Sequence, residues 1–307
     1  MSRPPVVEPS PVASPPPVVE PPPVVEPPPV VEPVETTPSR VLWGGFDRLN
    51  HRAAGVPTEW ATHPLVVTEA AHHGWDVIAA WSADDALLLR LRRRAVEEPG
   101  TSPDPGLYAV GTPDGTARLI LTAATTDGWP PVGRTTTPRG TRAALAALAT
   151  ATGVPVPAPF GAPATSHWDW LGIAHEPPRS TGEEHVEELQ DAAEIRAILA
   201  VAHPAGELVP EEPRSRWWGW RDPDGVLRGV VGADRRVPGA PWVLGSIGTH
   251  PAWRERGIAA ATTTVAVRAG LAESPLVALG MYADNDAARR TYLRVGFTTV
   301  QELESTR

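Results

Sequence analysis

The 307-residue sequence contains no cysteine and no lysine. Without cysteine there can be no disulfide, no thiolate metal site and no cysteine nucleophile. The 27 basic residues are all arginine, which excludes the lysine of a Walker phosphate loop and a Schiff-base lysine. It also leaves no lysine side chain on which the protein could be acylated. No apolar run approaches the ~20 residues that a membrane helix needs. Met1-Ser-Arg-Pro-Pro has no apolar core behind its charge, so no signal peptide is expected and the chain is assigned to the cytoplasm. A formal net charge of -9 excludes a general nucleic-acid binder, which needs a basic face. Arg90-Leu-Arg-Arg-Arg94 is the one basic cluster and reads as a solvated face.

What is present divides into three stretches. In residues 1–40, Pro-Pro-Pro-Val-Val-Glu repeats at 15–20, 21–26 and 27–32. Proline fixes φ and removes amide donors, so this tract is expected to be a disordered polyproline II tail, a spacer or a ligand for a proline-binding partner. Residues 41–175 form an N-terminal α/β domain. Gly74–Trp81 and Leu107–Val110 read as strands, and Thr112-Pro-Asp-Gly115 as a hairpin turn into a strand at Arg118–Leu121. Thr141–Thr152 reads as an alanine-rich helix ended by Gly153, and His167–Leu171 alternates like a final strand. His72-His73 lacks a third ligand at metal spacing, so no metal site is assigned.

Glu176–Gly182 is the linker to a second domain over residues 183–307. His185–Leu189 reads as a short strand. Asp191 reads as a helix N-cap with Glu194 three residues on, and Ile195, Ile198, Leu199 and Ala202 form the buried face. Arg216–Trp220, a turn at Asp222–Gly225 and Val226–Ala233 form a hairpin, with Trp217, Trp218 and Trp220 read as core. Trp242–Thr249 is a strand whose two glycines suggest a bulge, and Pro251 stops its ladder. Arg254-x-x-Gly257-x-Ala259 then opens a helix with apolar positions at Ile258, Ala261, Val265, Ala269 and Ala272. A helix N-terminus has unpaired N–H groups and the positive end of the dipole, so it suits a phosphate. Leu276–Tyr282 is a strand, Asp284-Asn285 caps a helix carrying Ala288 and Tyr292, Gly296 ends it, and Phe297 opens the last strand.

The phosphate-loop pattern, followed by Asn285-x-x-Ala288-x-x-x-Tyr292-x-x-x-Gly296-Phe297, resembles the GNAT family of acyltransferases. The detailed likeness covers the last third of the chain, and the element order extends it to 183–307. The resemblance implies an α/β (α+β) fold, with a mixed, mostly antiparallel sheet flanked by helices. The N-terminal domain would be a second, degenerate GNAT-like α/β unit. It implies an N-acetyltransferase that moves an acetyl or other acyl group from acetyl-CoA to a primary amine by direct attack. The acceptor would be a small molecule or a peptide, with no metal, nucleic acid or membrane involved.

On this resemblance the backbone of Ile247, Gly248 and Thr249 meets the pantetheine. Amides across Arg254, Glu255, Arg256, Gly257, Ile258 and Ala259 hold the pyrophosphate. Asn285 bonds near the pantetheine arm, and Tyr292 is the acid toward the thiolate leaving group. His203, Glu207 and His250 are polar residues positioned to take the amine proton, with none assigned. Two other readings are a non-catalytic acyl-CoA-binding regulatory module and a scaffold with a vestigial acyltransferase half. The tyrosine speaks against the first, and the intact loop against the second. Members of the family have a further strand after the one opened by Phe297, but only ten residues follow here. The uncovered edge predicts that the strand at His167–Leu171, with Trp168 and Trp170, packs onto the C-terminal sheet.

Overall fold

Alternation of side chains decides which surfaces are covered. In β2 (Ala86–Arg93), Leu87, Leu89 and Leu91 join one apolar cluster and Leu88 joins another, as the two-residue period of a strand requires. The computed structural model describes residues 55–93, 105–126, 129 and 132–306. The proline-rich tract and Arg94 lie outside the described residues.

The strands are β1 (Trp75–Ala83), β2, β3 (Gly106–Gly111), β4 (Thr135–Pro138), β5 (Ser166–Ile173), β6 (Val186–Leu189), β7 (Ser215–Arg221), β8 (Leu227–Asp234), β9 (Trp242–Thr249), β10 (Val277–Tyr282) and β11 (Thr298–Thr306). They form one 11-stranded sheet in the order β1-β2-β3-β4-β11-β5-β10-β9-β8-β7-β6. Among the described residues only β3–β4 and β9–β10 pair in parallel; the other neighbours are antiparallel. The fold is thus the mixed, mostly antiparallel α/β arrangement expected.

The helices are α1 (Pro64–His73), α2 (Pro113–Thr126), α3 (Thr141–Thr152), α4 (Ala192–Ala202), α5 (Ile258–Leu271) and α6 (Asp286–Val295). Leu88 packs with Ala117, Ile120, Leu121 and Leu145 of α2 and α3, whereas its neighbours in β2 pack with Leu65, Val66 and Val67 of α1. In β10, Val277, Leu279 and Met281 pack with α5 and α6, and Ala278 packs in the α1 cluster. So α2, α3, α5 and α6 share one face, while α1 lies on the other. Trp218 of β7 packs with the α5 side and Trp217 with α4, which puts α4 on the α1 face.

Leaving out the edge strand β6, the strand order is palindromic about the β11–β5 pair. The run β1-β2-β3-α2-β4-α3-β5 is repeated as β7-β8-β9-α5-β10-α6-β11. Each half lends its last strand to the other. β5 lies between β10 and β11, and β11 between β4 and β5. The strand expected to cover the C-terminal edge therefore does so, and Trp170 is buried in the shared core.

One N-terminal expectation is corrected. Thr112–Gly115 is not a hairpin turn and Arg118–Leu121 is not a strand; Thr112 leads into α2, Pro113–Gly115 open it and Arg118–Leu121 lie within it. Pro113 suits a first helical turn, where no amide donor is needed, and Asp114 favours the positive end of the dipole. Ala117, Ile120 and Leu121 then fall at helical spacing against the sheet. A smaller correction concerns α4. Asp191 caps it by accepting from Ala193 and Glu194 amides, but the Glu194 carboxylate pairs with Arg221 rather than closing a capping box.

Candidate active site

β9 and β10 run together for three residue pairs only, Trp242–Leu244 against Val277–Leu279. Beyond them β9 continues to Thr249 along β8, and β10 continues to Tyr282 along β5. The two strands therefore splay, and each keeps one edge facing the gap. The cause is visible in β9. Gly232 pairs with Gly245 and Val230 with Gly248, so two residues, Ser246 and Ile247, stand opposite Val231. Ser246 adopts φ 51°, a left-handed value uncommon for a residue with a Cβ. Its hydroxyl accepts from the Leu208 amide at 3.0 Å, which ties the bulge to the segment after α4.

Ile247, Gly248 and Thr249 lie on the part of β9 that β10 does not pair. A Cβ at Gly248 would lie 3.0 Å from the Cβ atoms of Ala202 and His203, so glycine here lets α4 approach closely. His203 thereby touches the strand that borders the gap. Glu207 is exposed, and His250 is occupied within its own turn, its Nδ1 accepting from the Ala252 amide at 3.2 Å.

The loop from Arg254 to Gly257 is exposed and delivers the chain to α5. Glu255 has φ 65° and Gly257 φ 81°, two left-handed turns that aim consecutive amides outward. A Cβ at Gly257 would meet nothing within 4 Å. Glycine is needed there for its backbone conformation, while the space beside it is free for a ligand. The first turn of α5 has no side-chain cap and no acidic residue. Its amides at Ile258 and Ala259 lack helical partners, as first-turn amides do. Arg254 and Arg256 make no ion pair among the described residues. The Arg256 guanidinium lies 4.6 Å from the centre of the Trp253 ring, with Arg228 5.0 Å from the same ring.

The matching place in the N-terminal half is closed. β3 leads into α2 through Thr112 alone. The Asp85 carboxylate accepts from Thr112 Oγ1 at 2.7 Å and from Arg118 at 2.9 Å, and the Thr112 hydroxyl accepts from the Gly115 amide at 3.0 Å. A Cβ at Gly115 would lie 2.6 Å from that carboxylate. The anion position at the start of α2 is thus filled by the protein's own carboxylate, and Gln301 of β11 accepts from the Gly111 amide at 3.0 Å beside it.

Asn285 is the N-cap of α6, its side-chain oxygen accepting from the Ala288 amide at 3.1 Å. Its side-chain N–H groups are what it has left to offer a ligand. Tyr292, two turns on, is buried in the cluster with Leu279, Met281 and Phe297, its ring meeting Phe297 edge-on at 6.1 Å. Burial pushes its phenol up to about 12, because a phenolate would lack solvation there. The hydroxyl makes no hydrogen bond among the described residues. Sequence reasoning did not find Asp169, fully buried on β5, which pairs with Arg139 and with Arg289 of α6. The signal was a lone acid inside the apolar alternation His167-Trp-Asp-Trp-Leu171.

The uncapped start of α5 thus lies in the same half as a pair of parallel strands that part after Leu244 and Leu279, with Tyr292 in the core cluster of that half. Residues 173–297 match the model of the acetyltransferase (GNAT) family, so the C-terminal half of the chain carries a domain of that family. No curated protein matches the sequence. Among solved structures, similarity extends to a protein assigned to the GNAT family from Novosphingobium aromaticivorans DSM 12444, at 20% identity, 79% of this chain, 95% of that chain and TM-score 0.44. A GCN5-related N-acetyltransferase from Kribbella flavida matches at 17% identity, 74% of this chain, 87% of that one and TM-score 0.42. A tandem GNAT protein from the clavulanic acid biosynthesis pathway matches at 13% identity, 82% and 89% coverage and TM-score 0.40.

Proposed function

We propose that the protein is a cytoplasmic N-acyltransferase that uses acetyl-CoA and a primary amine carried by a small molecule or a peptide. The observation that carries this reading is the uncapped, acid-free start of α5 beside the gap that opens after Leu244 and Leu279. Glu255, Arg256, Gly257, Ile258 and Ala259 offer amides, and Arg254 and Arg256 offer charge, to a pyrophosphate. Ile247, Gly248 and Thr249 offer the strand edge that β10 does not pair to an amide-bearing arm, the Thr249 carbonyl there accepting from Arg254 Nε at 3.4 Å, and Asn285 offers its side-chain N–H groups. Acetyl-CoA supplies an activated acyl thioester, which an uncharged amine attacks.

Tyr292 holds its proton at neutral pH, which suits it to donate toward a departing thiolate. Loss of the amine proton falls to His203 or to water, since His203 reaches β9 at Gly248. The N-terminal half is a degenerate copy of the same unit, with Asp85 standing where an anion would bind. Thiol release from acetyl-CoA, measured across a panel of amines with the full chain, tests the reading. Absence of both calorimetric binding of acetyl-CoA and amine-dependent thiol release would overturn it.

A further inference from the structure

α6 is a short helix with little of its own to hold it. Of its ten residues only Tyr292 and Val295 are buried, and Leu293 is 49% exposed. A helix of this length is marginal by itself, so its position is set by tertiary contacts. Tyr292 and Val295, with Ala288 packed partly against the same core, leave rotation about the helix axis weakly determined. A further anchor is ionic and comes from the other half of the protein.

Asp169 on β5 is 0% exposed and faces Met281 of β10 and Glu302 of β11 across the sheet. Arg289, three residues before Tyr292 on α6, reaches its Oδ2 at 2.5 Å and also donates to the Ala283 carbonyl at 3.0 Å. Arg139, at the end of β4, pairs with Asp169 Oδ1, lies 3.6 Å from the Glu302 carboxylate and donates to the Trp168 carbonyl. Two acids and two arginines thus balance in charge across the seam between the halves. Displacing α6 would withdraw Arg289 from a buried carboxylate and leave it with Arg139 alone, so the network resists that displacement.

We propose that Asp169, through Arg289, is a positioning residue that sets where Tyr292 and its hydroxyl stand in the cluster with Leu279 and Met281 of β10. The N-terminal half then contributes to turnover by clamping α6, without touching acetyl-CoA or the amine. This inference rests on the acyltransferase reading for its effect on rate, and on geometry alone for its effect on Tyr292.

Two measurements on the full chain separate these. In a Tyr108→Phe, Tyr282→Phe background Tyr292 is the one remaining tyrosine of three, and its phenolate absorbance is titrated with Asp169 intact or changed to Asn. The second is a double-mutant cycle in thiol release from acetyl-CoA. The expected result is a displaced Tyr292 titration in Asp169→Asn. With it come a fall in kcat of about 10²-fold, the scale of a roughly 1 Å misplacement, and a KM for acetyl-CoA within about twofold. In a Tyr292→Phe background Asp169→Asn should add little, because both changes act on one group. If Asp169→Asn does not fold, Arg289→Gln, which keeps Asp169 paired with Arg139, carries both measurements. An unchanged Tyr292 titration overturns the clamp, as does a rate loss that multiplies in the Tyr292→Phe background. Full activity of Tyr292→Phe alone would overturn the acid assignment, and the titration would still decide the clamp.

Discussion

The indole N–H of Trp168 donates to Ser305 Oγ at 2.9 Å, joining positions 137 residues apart in sequence. The bond crosses from β5 to β11, the two strands that each half gives to the other. On the same seam Thr135 and Thr306 hydroxyls lie 2.7 Å apart, and the Glu304 carboxylate accepts from the Arg142 amide at 3.0 Å at the start of α3. The core between the halves is continuous, since Trp170, Leu276, Ala278 and Leu303 pack with α1.

The halves should therefore not survive separation. Residues 180–307 alone lose β5, which leaves facing edges of β10 and β11 unpaired and Ala278 and Leu303 uncovered. That fragment is expected to aggregate or remain unfolded, and mixing it with the N-terminal half to restore acetyl-CoA binding. Trp170→Ala in the full chain should cost about 3–5 kcal/mol in denaturant unfolding. A soluble fragment that binds acetyl-CoA as the full chain does would contradict the shared-sheet account.

Tyr292→Phe should leave acetyl-CoA affinity within about twofold and lower kcat by roughly 10²–10⁴-fold. The sign of its pKa shift adds a second expectation. Burial raises the phenol to about 12, so it stays protonated through neutral and mildly alkaline pH. The pH–rate profile below about pH 11 should then lack an alkaline limb that disappears on Tyr292→Phe. Such a limb, measured in steady-state kinetics, would show that the phenol ionises in the working range.

Gly257 separates backbone strain from occlusion. Gly257→Ala meets no neighbour and carries only the cost of a left-handed conformation, about 1–2 kcal/mol. Gly257→Glu adds a carboxylate beside the first-turn amides. Calorimetry should find weakened acetyl-CoA binding in the first and none in the second. Equal binding in both would place the pyrophosphate elsewhere.

Acid sensitivity should come from two partly buried histidines. Desolvation pushes His63 down to about 4, and desolvation with the neighbouring His73 pushes His72 down to about 4. A folded-state pKa below the unfolded value means that the unfolded chain takes up protons first. Stability from these groups is present above pH about 6.5 and is lost as pH falls toward 4. Thermal unfolding midpoints should decline across that window, and His63→Gln should flatten the decline. A midpoint that holds from pH 7 to pH 4 would show that these histidines gain no proton on unfolding.

Much of the C-terminal half was legible because its signals are local. Asp191 and Asn285 cap the helices they precede, Gly296 ends its helix, and the bulge suggested by the glycines of Trp242–Thr249 occurs at Ser246. The start of α2 misled because Pro-Asp-Gly suits both a turn and a first helical turn, and the sheet beneath it decides. α1 was not foreseen, since Leu65–Val67 followed by Ala70-Ala71 shows no clear period, and a helix lying across a buried face is apolar around much of its surface.

The sequence by itself determined the chemistry on offer: arginine as the only strong cation, a glycine-start helix, and an asparagine and a tyrosine at set spacing on a following helix. The sequence also assigned that chemistry to the C-terminal half; the tertiary structure added that Asp85 bonds Thr112 at the start of α2, while the first turn of α5 has no side-chain cap and no acidic residue. That β5 covers the C-terminal edge was expected from the sequence, but only the tertiary structure placed β11 in turn between β4 and β5, since the pairing of strands so far apart depends on edges needing partners rather than on any local pattern. And it alone joined Asp169 to Arg139 and Arg289, because a buried carboxylate is stable only where folding brings its counter-ions to it.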